Sequence, residues 1–299
     1  MAISGSIDVN GLEVVERDST GRYKRYGEIV GKANSKTIYK GFDEIEGIEV
    51  AWSKTELTGD IFDNISYLRS LKAEARLLKS LDHENIIKCY DYWIDTKTIN
   101  MITELYTSGS LEEYFEKHVH FHIEAIKNFA RQILEGLHYI HSRNPPIVHR
   151  TLNCRNIYVD GSTGRIMIAN FGVAMFLEKQ YYPVQLVDIY NFGMCFLQML
   201  TGEPPYNECC DDVNERNKRI RSGVMPEVLS KVADLQVRHL IEKCLVPPAC
   251  ERPAAIELLN DPSLAPETFT RSQPRLQNST SITNALRKFF LKFVFSCFS

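Results

Sequence analysis

The chain has 299 residues, 35 Lys plus Arg against 38 Asp plus Glu, a formal net charge of −3, and 44% hydrophobic against 24% charged residues, the composition of an ordinary globular protein. A sequence pI of about 6.3 argues against a nucleic-acid binder, which would carry a basic stripe. No apolar run reaches the roughly 20 residues a bilayer span needs, no secretory pattern opens the chain, and Ala2 stands where myristoylation needs glycine; the expectation is a cytoplasmic or nuclear protein without a transmembrane segment, its eight cysteines reduced.

Residues 1–22 are polar without a sustained period and read as a flexible lead. From Tyr23 the runs YKRYGEIV, KTIYKGF and GIEVAWS are β-branched and aromatic, broken by turn residues, and predict an antiparallel meander. In LKAEARLLKSL the residues Leu71, Ala75, Leu78 and Leu81 recur at helical spacing, after which IIKCYDYWI and TINMITEL return to strand character.

Beyond TSGS the chain turns helical. Ile123, Ile126, Phe129, Ala130, Ile133, Leu134, Leu137 and Ile140 form one apolar stripe that ends before Pro145-Pro146. IYV and RIMI flank the turn residues DGSTG and predict a hairpin. VQLVDIYNFGMCFLQMLTG is apolar on nearly every side, so it predicts a buried helix with Gly202 near its C-terminal cap, and its lone Asp188 needs a partner. DLQVRHLIEKCLV predicts another amphipathic helix. After Pro266 the chain is rich in Ser, Thr and Asn. Its final stretch, LRKFFLKFVFSCFS, reads either as an amphipathic anchor or docking segment, or as readthrough appended to a damaged gene.

Taken in order, Gly31, Glu74, Thr103-Glu104-Leu105, His149-Arg150-Thr151, Asn156 and Asn170-Phe171-Gly172 resemble the motif set of a eukaryotic protein kinase. The resemblance implies an α+β, bilobal fold. Residues 23–106 would form a small antiparallel β-sheet lobe with one helix, 107–262 a larger, mainly helical lobe, and 263–299 a polar linker with a short apolar tail. KTIYKGFDEIEGIEVAW, LLKSLDHENIIKCYDYWID, INMITELYTSGSL and LVDIYNFGMCFLQMLTGEPPY further resemble the "with no lysine" (WNK) serine/threonine kinases, plant members above all.

That family lacks the usual nucleotide-holding lysine of the sheet, and here Val50-Ala51-Trp52-Ser53 places Ser53 in the slot. The resemblance assigns the replacement cation to Lys36, paired with Glu74. Lys54 is the alternative, but it lies one residue out of register and is expected on the opposite face of its strand. The implied ATP site comprises Gly31, Lys36, Ala51, Glu74, Glu104, Tyr106 and Tyr158, and Ala51 and Tyr158 read equally as core.

The catalytic parts depart from the family. Thr151 stands where an aspartate accepts the substrate proton, and a hydroxyl is no base near neutral pH, forfeiting a factor of roughly 10² to 10⁴. Asn153 replaces the loop lysine. Asn156 keeps its identity as a metal ligand, but Asn170 replaces the principal metal carboxylate, so Mg²⁺ binding is expected to be weak or absent. The segment between Gly172 and Asp188 is short and lacks an APE-type anchor, which leaves Arg252 without that anchor's glutamate. Asp160 in DGSTG reads as a turn residue rather than a substitute base. Leu78, His149, Phe171 and Asp188, which the resemblance makes structural, are all present. The expected function is a catalytically impaired, WNK-like pseudokinase that binds other proteins, such as active relatives or their substrates, with ATP as its candidate ligand. The alternatives are an active serine/threonine kinase and a degenerate gene product.

Overall fold

The computed structural model describes residues 6–8, 11–33, 36–57, 65–95, 97–118, 121–171, 175–176, 186–210 and 212–266. Seven strands form one antiparallel sheet: β1 (Ser6–Ile7), β2 (Glu13–Arg17), β3 (Tyr23–Ala33), β4 (Lys36–Asp43), β5 (Ile48–Glu56), β6 (Cys89–Ile94) and β7 (Thr98–Glu104), in the order β1-β2-β3-β4-β5-β7-β6. Helix α1 (Ile65–Ser80) joins β5 to β6. The period-2 alternation of β5 explains the two faces. Val50 and Trp52 are fully buried on one face with Tyr23 and Ile102; Trp52 donates its Nε1–H to Asn100 Oδ1 at 2.9 Å and meets Trp93 edge-on at 4.9 Å. Ala51, Ser53 and Thr55 belong to the other face, and their directly opposed partners in β4 are Lys40, Ile38 and Lys36.

The reading of residues 1–22 as a lead is corrected. Glu13–Arg17 is a strand paired with β3; Val14 is buried, and Glu16 accepts from Arg25 and Lys54. Five residues with one buried side chain show too little alternation to be recognised, and cross-strand charge pairing supplies the rest.

The second lobe is helical: α2 (Leu111–Lys117), α3 (Ile123–His141), α4 (Leu186–Thr201), α5 (Val213–Arg221), α6 (Leu235–Leu245) and α7 (Ala255–Leu259). The expected stripe of α3 faces the core, where Ile133, Leu134, Leu137 and Ile140 are fully buried. Ser110 caps α2 in a capping box with Glu113, and Asp234 caps α6. Short strands β8 (Ile147–Val148), β9 (Ile157–Asp160), β10 (Arg165–Ile168) and β11 (Met175–Phe176) pair as β8 with β11 and β9 with β10, the second being the expected hairpin. Its turn is closed by Asp160, whose carboxylate accepts from Ser162 and Thr163. Gly136 lets α3 approach this hairpin, since a Cβ there would lie 2.9 Å from Ile168 Cδ1. The core continues past the expected boundary at 262, because Leu264 is fully buried and its carbonyl accepts from Arg131.

Among the described residues no helix is long and apolar enough to cross a membrane. Apart from Met175–Phe176, residues 172–185 lie outside the described residues, as does the 267–299 tail, so the expectations for both stand as sequence readings.

Candidate functional site

Two strands and one helix place a cation beside an acid. Lys36 opens β4, on the sheet face it shares with Ser53 and Thr55, while Glu74 projects from α1 with only 5% of its surface exposed. Lys36 Nζ lies 3.4 Å from Glu74 Oε1. Because Lys36 and Ser53 are neighbours on one face of adjacent strands, an ammonium on the first reaches the space the second leaves empty. Lys54 faces the other way and is held at 2.9 Å by both carboxylate oxygens of Glu16. Gly31 lies in β3 opposite Ile38, and Ala51 is buried in β5 opposite Thr103.

The segment joining the lobes carries a network with no counterpart in the sequence pattern. The Glu104 carboxylate accepts from Arg165 Nη2 at 3.0 Å and from the hydroxyl of Tyr106, and the Tyr106 ring stacks on Tyr158 with centroids 6.3 Å apart. Desolvation raises the Tyr106 hydroxyl far above its usual range, and the adjacent Glu104 charge pushes it the same way; burial also raises Tyr158. Arg165 is 61 residues from Glu104, so only the fold brings them together.

The loop after β8 is suspended from α4. Asp188, fully buried, accepts from the backbone N–H of His149 at 2.8 Å and of Arg150 at 2.7 Å, and its Oδ2 lies 2.9 Å from His141 Nε2. This is the partner set that the lone acid of an apolar helix requires. Arg150 takes φ 72°, a left-handed value disfavoured for its side chain, and Asp188 and Asn191 clamp both sides of it. His149 is fully buried, bonds the Ala169 carbonyl through Nε2 at 2.9 Å and meets Phe171 edge-on at 4.8 Å. Burial lowers the His149 imidazole below its ordinary value, so the ring is neutral and Nε2 carries the donated hydrogen. Leu78 and Phe171 belong to the same buried cluster.

In this loop the side chains turn toward one another. Asn153 Oδ1 accepts from the N–H groups of Arg155 and Asn156, and its Nδ2 donates to the Thr151 carbonyl at 3.1 Å; it caps the turn that follows. Asn156 Nδ2 donates to the same carbonyl at 2.7 Å. Asn170 Nδ2 then donates to Asn156 Oδ1 at 3.0 Å. The Thr151 hydroxyl oxygen is buried and meets no hydrogen-bond partner among the described residues. Arg155 reaches Glu112 of α2 at 2.6 Å.

Arg252 is not idle for want of an acidic anchor. Its guanidinium donates to the carbonyls of Val246, Leu186 and Pro247 and lies 4.9 Å over the Tyr190 ring, and its burial away from carboxylates lowers its pKa. Among the described residues no group of three or more His, Cys, Asp and Glu side chains could hold a metal ion.

A two-lobed molecule with a seven-stranded sheet, a charged pair joining that sheet to its helix and a loop hung from a buried aspartate has the architecture of a protein kinase. The model of the protein kinase domain matches residues 24–185. The chain is 46% identical over 289 residues to the serine/threonine-protein kinase WNK8 of Arabidopsis thaliana, covering 90% of this chain and 51% of that protein. It is 45% identical to WNK10 of the same plant (92% and 56% covered) and 45% identical to WNK6 of Oryza sativa subsp. japonica (84% and 62%). The chain therefore belongs to the protein kinase family, in its WNK branch, while spanning only about half to three-fifths of the length of these relatives. The crystal structure of Rad53 1-466 in complex with AMP-PNP superposes with a TM-score of 0.68 at 24% identity, over 82% of this chain and 66% of that one, a likeness of fold.

Proposed function

We propose that this WNK-branch chain is a catalytically impaired kinase that acts by binding proteins, with a cleft that takes a nucleotide but performs little or no phosphoryl transfer. The observation that carries the reading is the bond from Asn170 to Asn156. Phosphoryl transfer needs a cation to neutralise charge on the β and γ phosphates. Mg²⁺ is a hard ion that binds through carboxylates and waters, whereas the donors available are two neutral amides, and the oxygen of one is already taken by the N–H of the other. These residues do not fit the ion. The proton acceptor is missing as well, for Thr151 offers only a hydroxyl, and Asn153 spends its side chain on the loop backbone. Each loss weakens the same step, so their effects are not multiplied.

Lys36 and Glu74 support a nucleotide site, since an ammonium positioned by a buried carboxylate suits a phosphate oxygen. Ala51, Tyr158 and the backbone of Glu104 to Tyr106 would hold the base. Partners are other proteins, among them active kinases of this branch or their substrates, and a cytoplasmic location is proposed with this role.

A transfer assay with γ-labelled ATP on a generic protein substrate, run beside Lys36→Met, tests the proposal. Equal, background-level incorporation is expected, and transfer well above the variant's would overturn it. A thermal shift with ATP, with and without Mg²⁺, reads the cleft directly: stabilisation that does not depend on the metal is expected.

A further inference from the structure

The outer face of α1 carries a basic ridge. At about 100° per residue, Arg69, Arg76, Lys72 and Lys79 fall within one stripe of about 80° of arc, while Glu74, Leu71, Ala75 and Leu78 lie on the other side of the helix. Burial agrees: Arg69, Arg76 and Lys79 are exposed and Lys72 is half-buried, whereas Leu71, Glu74, Ala75 and Leu78 are buried. The only acid of the helix, Glu74, is thus turned inward to Lys36. Among the described residues Arg69, Lys72 and Arg76 enter no ion pair or hydrogen bond, and Lys79 donates to the backbone carbonyl of Tyr90 on β6. The basic strip continues there, because Lys88 Nζ lies 6.0 Å over the Tyr90 ring. Exposed Ala73 and Ser80 run beside the cations and line a shallow concavity with them, whose floor is the buried Leu77.

Basic residues elsewhere on the surface are mostly paired: Arg155 with Glu112, Arg165 with Glu104, Arg219 with Glu208, Lys231 with Glu203. A ridge of like charges at three- and four-residue spacing costs helix stability unless something of opposite charge covers it. We infer that the basic outer face of α1 is a docking surface for an acidic peptide segment of a partner protein, its carboxylates meeting Arg69, Lys72 and Arg76 and its apolar residues lying in the concavity beside Ala73. Two arginines favour carboxylates, which they grip in pairs. The C-terminal stretch LRKFFLKFVFSCFS is basic and matches neither the charge nor the pattern of such an occupant. The inference gives the proposed protein-binding role a partner chemistry, and it stands whether or not the cleft transfers phosphate, because the surface lies on the side of the helix away from Glu74.

The test uses the full chain and a fluorescein-labelled peptide of alternating Glu and Leu, read by anisotropy at low and moderate salt, beside the matching Gln and Leu peptide, a single-stranded RNA and phosphatidylserine vesicles. Expected is binding of the acidic peptide that weakens with salt and is at least about tenfold tighter than that of the Gln peptide. Arg69→Gln/Lys72→Gln/Arg76→Gln should lose about tenfold in affinity, and Arg216→Gln/Arg221→Gln on α5 should lose nothing. Both sets replace surface groups, and an unchanged melting temperature certifies each; if the triple variant fails to fold, single Arg69→Gln and Arg76→Gln variants must each show part of the loss. Parent-like binding by the α1 variants, an equal loss from the α5 variant, or tighter binding of RNA or vesicles than of the acidic peptide would overturn the inference. None of these outcomes bears on the transfer assay.

Discussion

Asn170 Nδ2 donates to Asn156 Oδ1 at 3.0 Å, so the oxygen that Asn156 could offer a cation faces an amide hydrogen instead. The bond ties the end of the catalytic loop to the residue before Phe171. Asn170 takes φ 66°, a left-handed value that asparagine tolerates better than most residues.

Replacing Asn170→Asp removes the donor and restores a carboxylate opposite Asn156. With ATP present, the variant is expected to gain a Mg²⁺-dependent rise in melting temperature of about 3 °C or more that the parent lacks. A variant as indifferent to Mg²⁺ as the parent would show that the amide pair is not what excludes the ion.

Thr151→Asp alone is expected to leave phosphoryl transfer at background. A carboxylate there supplies the base, but Asn170 still offers no charge to a cation and Asn153 still spends its side chain capping the loop. The measurement is single-turnover incorporation of label; robust turnover by this single variant would show that the base was the sole defect.

Lys36→Met should abolish most of the ATP-dependent thermal shift and lower stability by about 1–3 kcal/mol, because it leaves the buried Glu74 carboxylate without its cation. Lys54→Met serves as the comparison: it removes one of the two cations that hold Glu16 on the far face and should keep the ATP response. Urea titration and differential scanning fluorimetry separate the two effects.

Asp188→Ala removes the acceptor for two backbone N–H groups and the partner of His141 in a fully buried site, and releases Arg150 from its left-handed backbone. A loss of about 3 kcal/mol or more in urea unfolding is expected.

Stability should fall as the pH drops below about 6.5, the ordinary histidine value. Burial holds His149 below that value, and burial likewise lowers His83. Below about pH 6.5 the unfolded chain therefore binds protons that the native chain refuses, and unfolding gains by up to about 1.4 kcal/mol per pH unit for each such group. Above that pH the contribution is flat. The shifted carboxylates, Glu16 and Asp43 among them, are held below their ordinary values and act only at lower pH. Urea unfolding between about pH 8 and pH 5 reads the slope, and His149→Phe should reduce it while leaving the part due to His83; a slope equal to the parent's would place the linkage elsewhere.

Much of the fold was legible because its signals are local. The period of α3, the alternation of β5 and the turn chemistry of Asp160 each lie within a few residues, and each element formed where they point. β2 was not legible, since one buried valine and a glutamate carry no period, and its place depends on Arg25 and Lys54 arriving from other strands. At the site, the order of motifs located the loop and the helix acid. It could not show Arg165 reaching Glu104, or Arg252 satisfied by three carbonyls, because a charged side chain alone does not name its partner.

The amino-acid sequence by itself determined which chemical groups are available: a hydroxyl at 151, amides at 153, 156 and 170, a serine at 53 and a lysine at 36. The tertiary structure alone decided how those groups are spent, pairing Lys36 with Glu74 across 38 residues and Asn156 with Asn170 across 14. Group chemistry is a property of the residue and can be read in place. A hydrogen bond is a property of distance and direction, and those exist only once sheet, helix and loop have packed.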